Sequence, residues 1–367
     1  MNAWLDLTIP FAVIMLVTGA LLYGMPRLTR PDLYFALTVT ADFPDSPAGR
    51  RILTAYRRAV LVSSLIGLAL LLTGGYQRSL ALAVGALILQ DGGCLAAYFR
   101  ARAQVTPHAT APTTVRDAVL SPRPARFPGG WPVLSGPFVM LGAVAIYLNH
   151  RWTDFPERFP IHWGRDGQPN GWSTHTVAGV YGPILIGAAE CLVLTAVAYG
   201  VLHWSRAIRQ TGPGAEAEAG FRRTVAGIVV GAQYLLAAVC GWTALLPLKG
   251  AGQGPPSIWV ILVPTLSFVI VTTVLMIQKG QGGTRVLRTS SDGAVGGSRP
   301  PIGDRTEDRY WKGGFLYVNS QDPALIVEKR FGIGYTLNFG HPGTWIILAV
   351  LVLAPLLVGL AVRLAGP

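Results

Sequence analysis

Eight stretches of this chain, at roughly 4–25, 59–76, 79–99, 131–149, 176–202, 224–247, 257–277 and 344–364, are long and apolar with almost no charge. A helix needs about 20 mostly apolar residues to cross the hydrocarbon of a bilayer. Inside lipid the backbone must satisfy its own hydrogen bonds, which a helix does. Charged residues make up only 13% of the chain, about half the share of an ordinary soluble domain, so a water-facing surface could not be covered. The pattern predicts an all-α integral membrane protein with about eight transmembrane helices. The first stretch has no Lys or Arg ahead of its apolar run, so it is expected to remain as a span rather than to be cleaved as a signal peptide.

The basic residues alternate from loop to loop. Of the 30 Lys and Arg, 24 fall in loops 26–58, 100–130, 203–223 and 278–343. Basic loops mark the cytoplasmic side, so both termini are expected outside and these four loops inside. The net charge of +12 then reflects topology and attraction to anionic lipid, not nucleic-acid binding. Cys94, Cys191 and Cys240 all fall inside spans and form no C-x-x-C pair; they read as small buried side chains rather than disulfides or zinc ligands.

Three regions are not plain span. Residues 151–176, outside the bilayer in this topology, are dense in Trp, Pro, Gly and His. Pro156 and Pro160 favour extended chain, and 166–171 carries turn residues at both ends. The reading is a compact external cap offering His162, Trp163, Asp166 and Trp172 to a peptide or protein partner. Residues 304–343 read as a small cytoplasmic β-rich module, with strands at 313–319, 324–332 and 333–339 and Tyr310, Trp311, Tyr317, Asn319 and Asn338 as its characteristic residues. A Gly/Ser/Pro-rich linker at 278–303 precedes it. After the first span, 33–40 reads as strand-like and leads into a basic amphipathic helix. Its Ile52, Leu53 and Tyr56 are expected to face the bilayer while Arg50, Arg51, Arg57 and Arg58 reach lipid phosphates. The chain thus divides into a three-span region (1–130), a four-span region with the loop 150–175 (131–277), the linker, the β-module and a final span (344–367).

Inside the spans, Asp91 and Glu190 are ionisable, with Gln90 and Gln233 near the same depth. Acids there cost several kcal/mol to bury. Either they form a midplane proton or cation site, or they are protonated and tie helices together. No nucleophile–base pair, H-E-x-x-H, P-loop or dinucleotide fingerprint is present. The chain is therefore read as non-catalytic, with no metal and no cofactor.

The run Pro156, Arg158, Pro160, His162, Gly167, Pro169 and Trp172 resembles the signature of a bacterial domain of unknown function found in the Sdp immunity protein family. Tyr310, Trp311, Gly313, Phe315, Tyr317, Asn319, Gly334, Thr336, Asn338 and Phe339 resemble a second uncharacterised domain of the same class of membrane protein. The resemblance implies a bacterial inner-membrane location and a sensor, toxin-immunity or accessory role. The alternative is a proton- or cation-coupled small-solute transporter using Asp91 and Glu190.

Overall fold

A computed structural model describes residues 3–30, 32–112, 127–164, 168–205, 212–249, 256–283 and 306–364. Within them lie eight α-helices: α1 (Ala3–Gly24), α2 (Pro47–Tyr76), α3 (Leu80–Val105), α4 (Gly130–His150), α5 (Val177–His203), α6 (Gly212–Leu245), α7 (Trp259–Lys279) and α8 (Pro342–Leu364). Four antiparallel hairpins pair β1 (Leu33–Tyr34) with β2 (Leu37–Thr38), β3 (Arg158–Trp163) with β4 (Pro169–Thr174), β5 (Trp311–Lys312) with β6 (Leu316–Tyr317), and β7 (Ile326–Glu328) with β8 (Tyr335–Leu337). Seven helices are long and apolar enough to cross a membrane, which suggests a membrane protein. In the expected eighth span, the apolar stretch found among the described residues, Pro342–Leu353, is shorter. The expected linker falls largely on 284–305, outside the described residues.

The chain forms two compact units. The first comprises Met1–Ser121, Arg206–Phe221 and Val274–His341; the second comprises Pro122–Ser205, Arg222–Thr273 and Pro342–Pro367.

In the first unit, α2 starts well before the apolar stretch. Ser46 caps it, its hydroxyl accepting from the Gly49 amide at 3.0 Å, and Pro47 occupies the first turn. The basic segment and the span are therefore one continuous helix. Its Ile52, Leu53 and Tyr56 face inward, into the aromatic core, rather than toward lipid as expected. That core has enough apolar surface to claim them. α2 and α3 pack closely in antiparallel fashion: a Cβ on Gly67 would lie 3.1 Å from the Ala86 carbonyl and 2.7 Å from the Met15 methyl.

The β1–β2 hairpin inserts its turn into that core. Phe35 (φ 47°) and Ala36 (φ 63°) both adopt left-handed backbone, the geometry of a tight hairpin turn usually given to Asn-Gly. For such residues the cost is about 1–2 kcal/mol each. Full burial of the Phe35 ring offsets about 2–3 kcal/mol. The ring stands edge-on to Tyr34 at 4.9 Å and Tyr56 at 5.0 Å, and stacks on Phe331 at 6.3 Å.

Phe331 belongs to the 306–341 module, which is fastened to this hairpin by buried charges. Arg30 pairs with Glu328 at 3.3 Å. Arg330 donates to Asp308, to the Thr306 carbonyl and to the Ala36 carbonyl. Asp308 in turn accepts from the Thr38 amide and hydroxyl, the latter at 2.8 Å. Gln281 closes a reciprocal pair with the Gly334 backbone, donating at 2.9 Å and accepting at 2.7 Å. The strands are shorter than the sequence predicts, with a further turn at 313–315 between β5 and β6 ahead of the turn at 320–321.

In the second unit, the β3–β4 hairpin leads into α5. Its core gathers Leu141, Leu148, Phe155, Phe159, Val180, Ile184 and Cys191. Thr176 caps α5, accepting from the Gly179 amide at 3.0 Å.

Candidate functional site

The β3–β4 hairpin carries the loop residues on paired strands. Cross-strand pairs run from Arg158 opposite Thr174 to Pro160 opposite Trp172, and His162 opposite Gly171. Irregularities on either side of His162 break the strict alternation, turning Ile161 and His162 both outward. Gly171 permits the close approach, since a Cβ there would lie 2.8 Å from the His162 Cβ. The His162 ring nitrogen Nδ1 is hydrogen-bonded to Asn170 Oδ1, which leaves Nε2 as the free edge of an exposed imidazole.

Trp172 is 40% exposed and Ile161 59% exposed. The Arg158 guanidinium lies over the Trp172 ring at 4.8 Å, holding the indole by a cation–π contact. Trp163 is half-buried, and its buried Nε1 has no hydrogen-bond partner. Asp166 lies outside the described residues. Arg158, Ile161 and Asn170 therefore join the predicted set. The spacing of His162 and Asn170 across a turn is the signal that could have paired them.

At its base the hairpin rests on aromatic rings. His175 lies 4.4 Å from Trp152 and stacks on Phe155 at 5.7 Å, while Trp152 stacks on Tyr181 at 6.0 Å. The His175 backbone amide donates to the Glu157 carbonyl at 2.9 Å. Nearby, Arg151 and Asp154 form an exposed ion pair, and the carboxylate holds the guanidinium pKa above its ordinary value.

Two of the four polar residues of the helices are buried amides, one in each unit. Gln90 is buried, its Nε2 donating to the Met15 carbonyl at 2.9 Å and to the Thr18 hydroxyl at 3.1 Å. Gln233 is buried in the same manner in the other unit, donating to the Cys191 carbonyl at 3.1 Å and the Thr195 hydroxyl at 3.0 Å. Both amides tie one helix to its neighbour. Asp91, one position on from Gln90, points to the outer face of α3. Glu190 is half-buried. Asp91 belongs to the first unit and Glu190 to the second.

The characteristic residues of the 306–341 module are hydrogen-bonded within the module. Trp311 donates through Nε1 to the Thr306 hydroxyl at 2.9 Å. Tyr317 donates to Asp322 at 2.7 Å, and Asn319 donates to the Tyr317 oxygen at 3.2 Å. Asn338 is the hub. Its Nδ2 donates to the carbonyls of Asn319, Asp322 and Ala324, and its Oδ1 accepts from the Asn319 and Gly340 amides. Tyr310 alone of the five is half-buried rather than buried.

Two segments match family models. Residues 139–187, from α4 through the hairpin into α5, match a domain of unknown function, DUF1648. Residues 321–345, covering β7, β8 and the start of α8, match a family of unknown function, DUF5808. No curated protein and no solved structure matches the chain.

Proposed function

We propose that this chain is a non-catalytic membrane protein that recognises a peptide or protein partner through the β3–β4 hairpin and serves as a sensor, toxin-immunity or accessory component. One observation carries the reading: an ordered hairpin outside the apolar helices exposes Ile161, His162 and Trp172 together, with Arg158 bracing the indole. Aromatic anchors beside a charged group are the side chains that carry binding energy at interfaces. The residue resemblance to the Sdp immunity family, which falls on this same hairpin, supports the immunity or sensor role. The segregation of 24 of 30 basic residues supports a bacterial inner-membrane placement with both termini and the hairpin outside. Asp91, on the outer face of α3, supports an accessory role more than transport shared with Glu190, because an outward acid in a span calls for a neighbouring helix.

The test is purification of the chain from its native membrane into lipid nanodiscs, with mass spectrometry of whatever is retained. The expected result is a stoichiometric peptide or protein whose retention falls at least about tenfold in His162→Ala/Trp172→Ala, with an unchanged melting temperature. A chain recovered alone, or a partner indifferent to the double variant, would overturn the reading.

A further inference from the structure

Two of the large apolar side chains of the 306–341 module are exposed, and the others are buried or half-buried. Phe315, 38% exposed, and Leu316, 47% exposed, stand side by side at the β5–β6 turn. This turn is fastened to α3 rather than free. The Tyr98 hydroxyl donates to the Gly313 carbonyl at 3.0 Å, and the Phe315 ring lies 4.6 Å from Tyr98 and 6.3 Å from Phe99. Gly313 (φ 61°) and Gly314 (φ 84°) make the turn possible. A Cβ on Gly314 would collide with the Tyr98 hydroxyl and with Ala36, so the two exposed side chains are presented at a fixed place.

That place continues an apolar face. On α3, Leu95 and Phe99 are exposed four residues apart on one side of the helix, at the end beyond the exposed Asp91. The face ends at Phe99, where Arg100 follows, and Phe315 extends it past that point. Basic side chains surround the change from apolar to polar: Arg100 on α3, Lys312 on the turn and Arg58 on α2 are exposed. Gly93 packs on Ser63, Gly67 on Ala86 and Gly74 on Leu82, an antiparallel register that brings Arg58 and Arg100 to the same end of the helix pair. Arg57 is not available, since it lies over the Tyr23 ring and donates to the Tyr23 carbonyl. The module's nearby acids are already paired, Glu307 with Arg309 and Asp308 with Arg330.

We propose that the Phe315–Leu316 turn is a membrane-interface anchor, whose partner is the anionic phospholipid layer at the bilayer surface. Apolar and aromatic side chains buried at the headgroup boundary, with Lys and Arg at phosphate level, are the composition that such a surface selects. The charge of the rim is complementary to phosphate, and the apolar tip is continuous with the Leu95–Phe99 end of α3. The module then rides on the bilayer instead of hanging free in solution. This rests on the reading that α2 and α3 cross the membrane.

The test uses the full chain carrying a nitroxide at Leu316→Cys or, as the reference within the span, at Leu65→Cys on α2, whose side chain is 65% exposed. The unsubstituted chain, taken through the same labelling, supplies the background from its own cysteines. Each is reconstituted into phosphatidylcholine alone or mixed with phosphatidylglycerol, and relaxation by oxygen is compared with relaxation by a water-soluble nickel chelate. Both labels are expected to favour oxygen, Leu316 less than Leu65. The oxygen preference at Leu316 should rise at least about twofold with phosphatidylglycerol and lose that rise in Arg100→Gln/Lys312→Gln. A lipid-accessible Leu65 with a nickel-accessible Leu316 overturns the anchor while leaving the span in place. Nickel access at both overturns the span as well. A Leu316 label shielded from both reagents means that protein covers the turn, and equal depth in both lipids means that anionic headgroups are not recognised; either outcome overturns the proposal.

Discussion

The β3–β4 hairpin and the 306–341 module are both small β-structures, and both carry motif residues that stand out in the sequence. They use those residues in opposite ways. On the hairpin, His162 and Trp172 are exposed and held from behind by Asn170 and Arg158. In the module, Trp311, Tyr317, Asn319 and Asn338 are buried and their polar groups are taken up by hydrogen bonds within the module. A recognisable pattern can thus mark a surface for binding in one place and a framework in another. What distinguishes them is whether each polar group has its partners inside the element. The module's own apolar core is small, formed by Trp311, Tyr317 and Val327, and a satisfied polar network supports it.

The largest way to break this comparison is Asn338→Ala. It removes both amides' acceptor and three carbonyls' donor at once. Each buried group left unsatisfied costs about 1–3 kcal/mol, so a loss of about 3–5 kcal/mol is expected. Thermal unfolding of the purified chain, followed by proteolysis within 306–341, reads it. The matching change on the hairpin, Trp172→Ala, should cost under about 1 kcal/mol. Equal losses would erase the distinction between framework and surface.

The two structures also differ in what supports them. The hairpin stands on α4 and α5, its neighbours in sequence, while the module leans on β1 and β2 almost 300 residues away. Tyr34, in β1, reports on that support. Its hydroxyl donates to the Gly49 carbonyl at 2.8 Å, and burial pushes its pKa up to about 12, against smaller opposing effects of Arg57 and Arg27. The unfolded phenol titrates near 10, so the folded state holds this proton more tightly. The contribution is complete below about pH 10 and declines as the pH rises toward 12, by up to about 2–3 kcal/mol. Stability measured across that window should fall less steeply in Tyr34→Phe than in the unsubstituted chain. Parallel slopes would mean that the folded state does not hold the Tyr34 proton more tightly.

Much of the helical plan was legible because apolar stretches of about 20 residues permit few alternatives. The stretches predicted at 131–149 and 176–202 lie within one residue of α4 and α5 at each end, and that at 79–99 starts one residue before α3, which runs on to Val105. The position of each polar side chain around its helix was less legible. Gln90 and Asp91 are adjacent, yet one bonds inward and the other faces out, since successive helical residues diverge by about 100°. The β1–β2 turn was hidden because Phe35 and Ala36 occupy a conformation that sequence normally assigns to Asn or Gly. Arg30 and Arg330 read as loop charges, and only the fold brings Glu328 and Asp308 to them. For the hairpin, prolines and turn residues announced extended chain and a reversal, while the bulges around His162 that aim its ring outward had no local signal.

The finest distinction between the two regions lies in the Arg158–Trp172 contact. The guanidinium is 4.8 Å from the ring centre, but both groups are exposed, and water weakens the attraction. An exposed cation–π pair contributes about 0.5–1 kcal/mol. A double-mutant cycle on Arg158→Gln and Trp172→Leu should therefore return a coupling of that size in stability. The same cycle read by partner retention should show stronger coupling, because the arginine orients the indole before the partner arrives and removes an entropic cost from binding. Coupling that is equal in both readouts would make Arg158 a local brace only. Coupling absent from both would mean that the indole is aimed by the strand alone, through its place opposite Pro160.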